Sequence, residues 1–166
     1  MNYHHIKHCD MVNGDGLRTV IWLSGCSHKC PGCFNPETHC PLSGIKFDKS
    51  AKDELFKNLK EDWCDGITFS GGDPLFETNT EEVIELCKEI KAKYPTKTIW
   101  LYSGYTYDFI INDPLRSNIL NYIDVLCDGP FIEALKDVNK KWVGSSNQNV
   151  INIKQRIEQV NSLRHI

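Results

Sequence analysis

The sequence predicts an α/β fold on a mostly parallel sheet, left open as a partial β/α barrel, and three observations lead there. Apolar strand-like runs alternate with amphipathic helix-like stretches along the 166 residues. The glycine- and cysteine-rich turns come directly after strand-like runs, where the loops at the carboxyl ends of parallel strands fall. Only four or five such runs are present, too few for a closed eight-stranded barrel.

The first strand is Arg18 to Leu23, rich in β-branched and aromatic residues and ended by Gly25. Asp48 caps a helix to about Leu59, with Leu55, Phe56 and Leu59 at helical spacing, and Gly66 to Ser70 is the second strand. Thr80 caps a helix over Glu81 to Lys93, which has Val83, Leu86, Cys87 and Ile90 on one face and ends at Pro95. Thr98 to Leu101 is a third strand, a loosely bounded helix lies within Tyr107 to Asn121, and Ile123 to Leu126 is a fourth strand. Asn149 to Ile153 reads as a last strand and Lys154 to Leu163 as a terminal helix. Gly129 to Asn149 reads as surface loop, and the N-terminal residues around His4, His5 and His8 as a mobile end.

The length fits one domain over residues 1–166 with an ordinary core. A formal net charge of -3 without a basic stripe excludes a general nucleic-acid or membrane-surface protein. No apolar run approaches the ~20 residues that span a bilayer, and the N-terminus lacks the apolar core of a secretory signal, so a cytoplasmic protein is expected. Eight cysteines in such a chain point to metal or redox chemistry rather than to disulfides.

Three of them, Cys26, Cys30 and Cys33, form a C-x3-C-x2-C loop after the first strand. A fully ligated [4Fe-4S] cluster takes four cysteines, so a three-cysteine loop suggests one iron left for a substrate or cofactor. Two other readings remain at this point. Zinc would need a fourth ligand from His28, His39 or Cys40, and Cys40 could saturate a cluster in a small electron carrier.

The second strand runs into Gly71-Gly72-Asp73-Pro74. Glycines let backbone approach a ligand, and Asp73 can accept from an ammonium, although such a turn is often only a turn. In a parallel sheet both loops emerge on one edge. A ligand on the open iron would then have its amino group beside Asp73, which suits a chelated amino acid.

These two motifs resemble those of the radical S-adenosylmethionine superfamily. Asn13 to Gly16, Cys26 to Asn35, Ser70 to Leu75, Trp100 to Tyr105, Asp128-Gly129 and Lys141 to Gln148 together resemble the anaerobic ribonucleoside-triphosphate reductase activating proteins over nearly the whole chain. The departures are Gly32 in place of an aromatic before the third cysteine, Phe34 in place of Tyr, Asp15 in place of Pro, and Val143 in place of Arg.

The resemblance implies a partial barrel of the radical S-adenosylmethionine type. Cys26, Cys30 and Cys33 would hold the [4Fe-4S] cluster, Gly71, Gly72 and Asp73 would position the methionine amino end of S-adenosylmethionine, and Gly32 to Phe34 would lie against its adenine. No side chain is implied as a catalytic acid or base. One-electron cleavage would give a 5'-deoxyadenosyl radical that takes hydrogen from a glycine on the reductase large subunit, with a donor such as flavodoxin; a formate-lyase-type activator is the neighbouring alternative.

The other groups read blandly. Cys87 and Cys127 are expected to pack in the core, Cys9, Cys40 and Cys64 lack companions at ligand spacing, His28 is expected to face solvent, and His39 and His165 stand apart.

Overall fold

The computed structural model describes residues 1–163; His165 lies outside them. Seven strands, β1 (Asn2–Asp10), β2 (Arg18–Leu23), β3 (Ile45–Lys46), β4 (Gly66–Gly71), β5 (Thr98–Tyr102), β6 (Val125–Asp128) and β7 (Asn149–Asn152), form one open sheet in the order β3-β1-β2-β4-β5-β6-β7. The central run β2-β4-β5-β6 is parallel, and both flanks, β3-β1-β2 and β6-β7, are antiparallel. The expected alternation therefore produces the middle of the sheet.

Helices α1 (Lys49–Leu59), α2 (Thr80–Lys93) and α3 (Tyr107–Asn112) cross between these parallel strands, and α4 (Ile153–Leu163) follows β7. Right-handed crossovers along a strand order that advances in one direction put all three crossover helices on one face. Leu55 and Leu59 of α1, Val83, Leu86 and Ile90 of α2, and Ile110 of α3 pack there against Ile21, Leu23, Ile67, Phe69, Ile99, Leu101 and Leu126. The other face carries Arg18, Val20, Trp22, Thr68, Ser70, Trp100, Tyr102 and Cys127, which alternate with those core residues along the strands.

Four expectations change. The N-terminus is a nine-residue strand: His5 stacks on Trp22 with centroids 4.3 Å apart, His4 Nε2 lies 2.9 Å from Ser43 Oγ, and His8 Nε2 lies 3.0 Å from Glu54 Oε1. Its alternation is masked by register shifts between Tyr3 and His5 and between Lys7 and Asp10, where Cys9 takes a positive φ. The helix expected over Tyr107 to Asn121 breaks at Asp113, because the residue before Pro114 avoids the helical region, and resumes as a 3-10 turn at Arg116–Asn121.

The third change is at α2. Its cap position is Asn79 rather than Thr80, and the Asn79 side chain makes no capping bond. It donates instead to Ser24 O at 2.8 Å and Asp73 O at 3.1 Å, bracing two loops. By contrast Asp48 caps α1 as expected, accepting from Ala51 N at 3.0 Å. The fourth change is residues 129–148, which fold back onto the cysteine loop instead of lying free.

Candidate functional site

The cysteine loop leaves β2 through Ser24 and Gly25 and is clamped at its base. Gly25 N donates to Thr38 O at 2.8 Å, Cys26 N to His39 O at 3.1 Å, and Asp73 N to Gly25 O at 2.7 Å. The Gly-Gly-Asp turn is thus tied directly to the cysteine loop. Gly71 has φ +99°, and a Cβ there would sit 2.5 Å from Leu23 N, so only glycine lets β4 end this close to β2.

A pocket of about 130 Å³ forms between these loops, lined by Cys26, Cys30, Cys33, Phe34, Ser70, Gly71 and Gly72, with Tyr102 and Cys127 on its sheet side. The three loop cysteines expected from sequence are brought together here, while Cys9, Cys40 and Cys64 are not. The thiols do not form a ready cage: among the described residues no three His, Cys, Asp or Glu side chains converge on a metal position. A larger hollow of about 870 Å³ opens at the amino end of the sheet by Asp15, Asp65, Thr98 and Asp124. It contains no cysteine, and Asp65 and Asp124 are engaged with Leu17 N and with Lys91 Nζ and Ile99 N, so the chemistry belongs to the smaller pocket.

Two expected contacts are placed differently. Asp73 is 1% exposed and does not line the pocket. Its Oδ1 accepts from Leu75 N at 2.8 Å and Ser103 Oγ at 3.0 Å, and its Oδ2 from Gly104 N and Ser103 Oγ, both at 3.0 Å. His28 Nε2 lies 3.1 Å from the same Oδ2, off the line of a hydrogen bond, so the contact is one of proximity and Nε2 has no hydrogen-bond partner. Three donors, Leu75 N, Gly104 N and the single Ser103 hydroxyl, thus engage both Asp73 oxygens and turn the carboxylate toward the loop after β5 rather than into the pocket. Gly32, with φ +72°, faces the tail: a Cβ would meet Glu133 and Phe131 at 3.1 to 3.3 Å.

His28 is also corrected. It is 19% exposed rather than solvent-facing, packed edge-on to Tyr105 with centroids 4.5 Å apart, and so close to Gly104 that a Cβ would strike its ring. The Asp73 carboxylate thus joins the turn after β4 to the loop after β5, and His28 of the loop after β2 lies against it.

Sequence reasoning missed the tail's part in the site. Phe131 packs on Phe34 with centroids 5.1 Å apart, Gly144 fits where a Cβ would sit 2.7 Å from Phe34, and Gly129, Pro130, Phe131 and Gln148 complete the pocket wall. Gln148 holds the tail's shape by accepting from Gly144 N and Ser145 N and donating to Gly129 O. The available signal was the polar run Gly144 to Gln148, whose amides supply these bonds. Cys127, expected in the core, is 1% exposed but borders the pocket.

All eight cysteines are free. Burial pushes the Cys26 and Cys33 thiols above their ordinary value, opposed by the amides of His28 and Lys29 at Cys26 and of Asn35 at Cys33. Burial pushes Cys127 up to about 12. Because the thiolate is the reactive form, iodoacetamide at neutral pH should label exposed Cys9 and Cys40 of the metal-free protein first, Cys26 and Cys33 slowly, and Cys64, Cys87 and Cys127 only after unfolding. Peptide mass spectrometry reads the order; Cys127 labelled as fast as Cys40 would contradict a closed pocket.

Comparison with known proteins points to iron-sulfur chemistry. A family model described as "4Fe-4S single cluster domain" matches residues 12–151. The anaerobic ribonucleoside-triphosphate reductase-activating protein of Enterobacteria phage T4 is 40% identical over 148 residues, 89% of this chain and 92% of its own length. Its namesake in Escherichia coli (strain K12) is 40% identical over 150 residues, 89% of this chain and 96% of its own. That of Vibrio cholerae is 39% identical over the same span and shares. With the cysteine loop, the Gly-Gly-Asp turn and the tail all lying inside the matched region, the chain belongs to the family of anaerobic ribonucleoside-triphosphate reductase-activating proteins.

Proposed function

We propose that the chain, acting as one domain over residues 1–166 with a partial barrel of the radical S-adenosylmethionine type, generates a glycyl radical on anaerobic ribonucleoside-triphosphate reductase. The observation that carries this reading is the gathering of Cys26, Cys30 and Cys33 in one pocket with the end of β4. The donor set fits a [4Fe-4S] cluster: soft sulfur ligands in a half-buried loop, with main-chain amides favouring their thiolate form. Three thiolates leave one iron for the amino and carboxylate groups of S-adenosylmethionine. When bound, the cluster would supply the electron for reductive cleavage of the sulfonium.

The protein's own part is to orient and to exclude water. Ser70, Gly71 and Gly72 border the space for the amino-acid end, and Asp73 positions that backbone from behind. Phe34, packed on Phe131 and against Gly144, flanks the nucleoside space, and Gly32 lets the tail close over it. Ligand pockets generally run to about 300–1,000 Å³, so this one must widen for the cofactor, and the wall made by Phe131 and Gln148 is the part without strand support. The names of the relatives supply the reductase as the partner. A low-potential donor of the flavodoxin kind and a reducing cytoplasm suit the site; among the described residues no helix is long and apolar enough to cross a membrane.

Anaerobically reconstituted and reduced protein should give a cluster EPR signal that changes on adding S-adenosylmethionine, and should release 5'-deoxyadenosine with dithionite. A glycyl radical signal should appear only when the reductase is present. An unchanged spectrum and no cleavage would sink the reading; a signal raised on formate lyase instead would redirect it.

A further inference from the structure

Among the described residues four buried side-chain polar atoms have no hydrogen-bond partner: His8 Nδ1, His28 Nε2, His39 Nε2 and Asn147 Oδ1. Buried polar groups are nearly always paired, so each such atom calls for a cause, a missing ion or ligand among them. Two of the four belong to residues that border the cysteine pocket, His28 and His39. His28 Nε2 has the Asp73 carboxylate 3.1 Å away, which accounts for its place; that of His39 is unaccounted for.

Spacing alone sets His39 apart from the cysteine loop, yet the fold locks it to the first loop cysteine. Its main-chain N donates to Pro36 O at 3.3 Å, closing the 3-10 turn Pro36–Thr38, and its O accepts from Cys26 N at 3.1 Å. The half-buried ring therefore stands on backbone fixed from both sides, with Nε2 as a covered atom. A [4Fe-4S] cluster in this pocket would present the loop thiolates and its own sulfides, which carry negative charge and accept hydrogen bonds. The loop already supplies one such donor, from Asn35 N to Cys33 Sγ at 3.4 Å. An imidazole nitrogen that meets an acceptor takes the tautomer carrying the hydrogen. The His39 main chain is bonded to Cys26 and not to Ser70, Gly71 or Gly72, so cluster sulfur is the acceptor it meets, ahead of the amino-acid end of S-adenosylmethionine.

We infer that His39 Nε2–H donates a hydrogen bond to the sulfur of the cluster and holds its reduction potential up, within reach of the donor that must reduce it. Reduction adds negative charge to the sulfurs, so a fixed donor stabilises the reduced cluster more than the oxidised one. The electron comes from the external low-potential reductant, and the hydrogen stays on nitrogen. The inference rests on the cluster reading above.

The test is a mediated dithionite titration of the anaerobically reconstituted full chain without S-adenosylmethionine, with the reduced cluster counted by EPR. At the poise that reduces half of the wild-type cluster, His39→Leu should keep its iron but show a reduced-to-oxidised ratio lower by about tenfold, equal to about 59 mV for one electron. His39→Gln, which keeps an N–H near the Nε2 position, should stay within about twofold of wild type. Cys40→Ala, adjacent and exposed, is the control for disturbance of the segment and should also stay there. A wild-type ratio in His39→Leu, or an equal fall in the Gln or Cys40 variant, overturns the inference alone. So does a fall seen only after S-adenosylmethionine is added, which would put Nε2 on that cofactor, and so does loss of iron in His39→Leu, which would make His39 a ligand. Wild-type protein that takes up no cluster overturns the cluster reading together with it.

Discussion

Changing any one of Cys26, Cys30 or Cys33 to alanine should abolish the cluster and with it all cleavage of S-adenosylmethionine. Two thiolates cannot hold the cubane, so iron should fall from about four per chain to near zero, with loss of the sulfur-to-iron absorption. The fold should survive, because these residues are half-buried in a loop whose base is held by backbone bonds from Gly25, Cys26 and Asp73 rather than by the thiols. Cys40→Ala is the control: Cys40 is exposed and does not border the pocket, so iron and cleavage should both persist. Loss in the Cys40 variant with normal folding would point to four-cysteine ligation and to an electron carrier.

The second large effect is on stability. Arg18→Met should destabilise the fold by about 4 kcal/mol or more, lowering the melting temperature by roughly 10 °C. Arg18 is 0% exposed beneath the open face of the sheet, and among the described residues its guanidinium bonds only carbonyls and hydroxyls. Nε donates to Thr68 Oγ1 at 2.8 Å, Nη1 to Asp15 O and Thr98 Oγ1 at 2.9 Å, and Nη2 to Ile67 O and Thr98 O at 2.8 Å. All five of its donors are used, and it lies 5.5 Å from the Trp100 ring centroid. Burial lowers its pKa to about 10, so it stays charged at neutral pH. Methionine fills much of the volume but leaves three carbonyls and two hydroxyls without this donor. A thermal melt decides: a shift of under ~1 kcal/mol would mean that water or neighbouring groups replace the network.

The parts of this architecture that were legible in the sequence are the local ones. Arg18 to Leu23, Gly66 to Ser70 and Thr98 to Leu101 announce themselves through β-branched content and glycine boundaries, and the cysteine spacing announces its loop. The contacts between distant segments were not legible. The first strand hides behind two register shifts, and its histidines gain their partners from distant segments, Trp22, Ser43, Glu54 and Asn58. The tail carries no periodicity, and its place over the loop depends on what Gly32 and Gly144 leave empty. Asp73 could be seen to stand in the right turn, but its direction is set by Ser103 and Gly104, some thirty residues away. Cys127 looked like a core residue because alternation says which face a strand residue takes and nothing about what lies above that face.

The Asp73 carboxylate, reaching the loops after β2 and β5 from the turn after β4, works as a caliper. The width of the opening between the cysteine loop and Ser103-Gly104 equals the reach of one short side chain plus a hydrogen bond. A glutamate in its place would add one carbon–carbon bond, about 1.5 Å, and would have to spread those loops or turn aside. The spacing of the loops beside the pocket is in this sense gauged by a residue that does not line it.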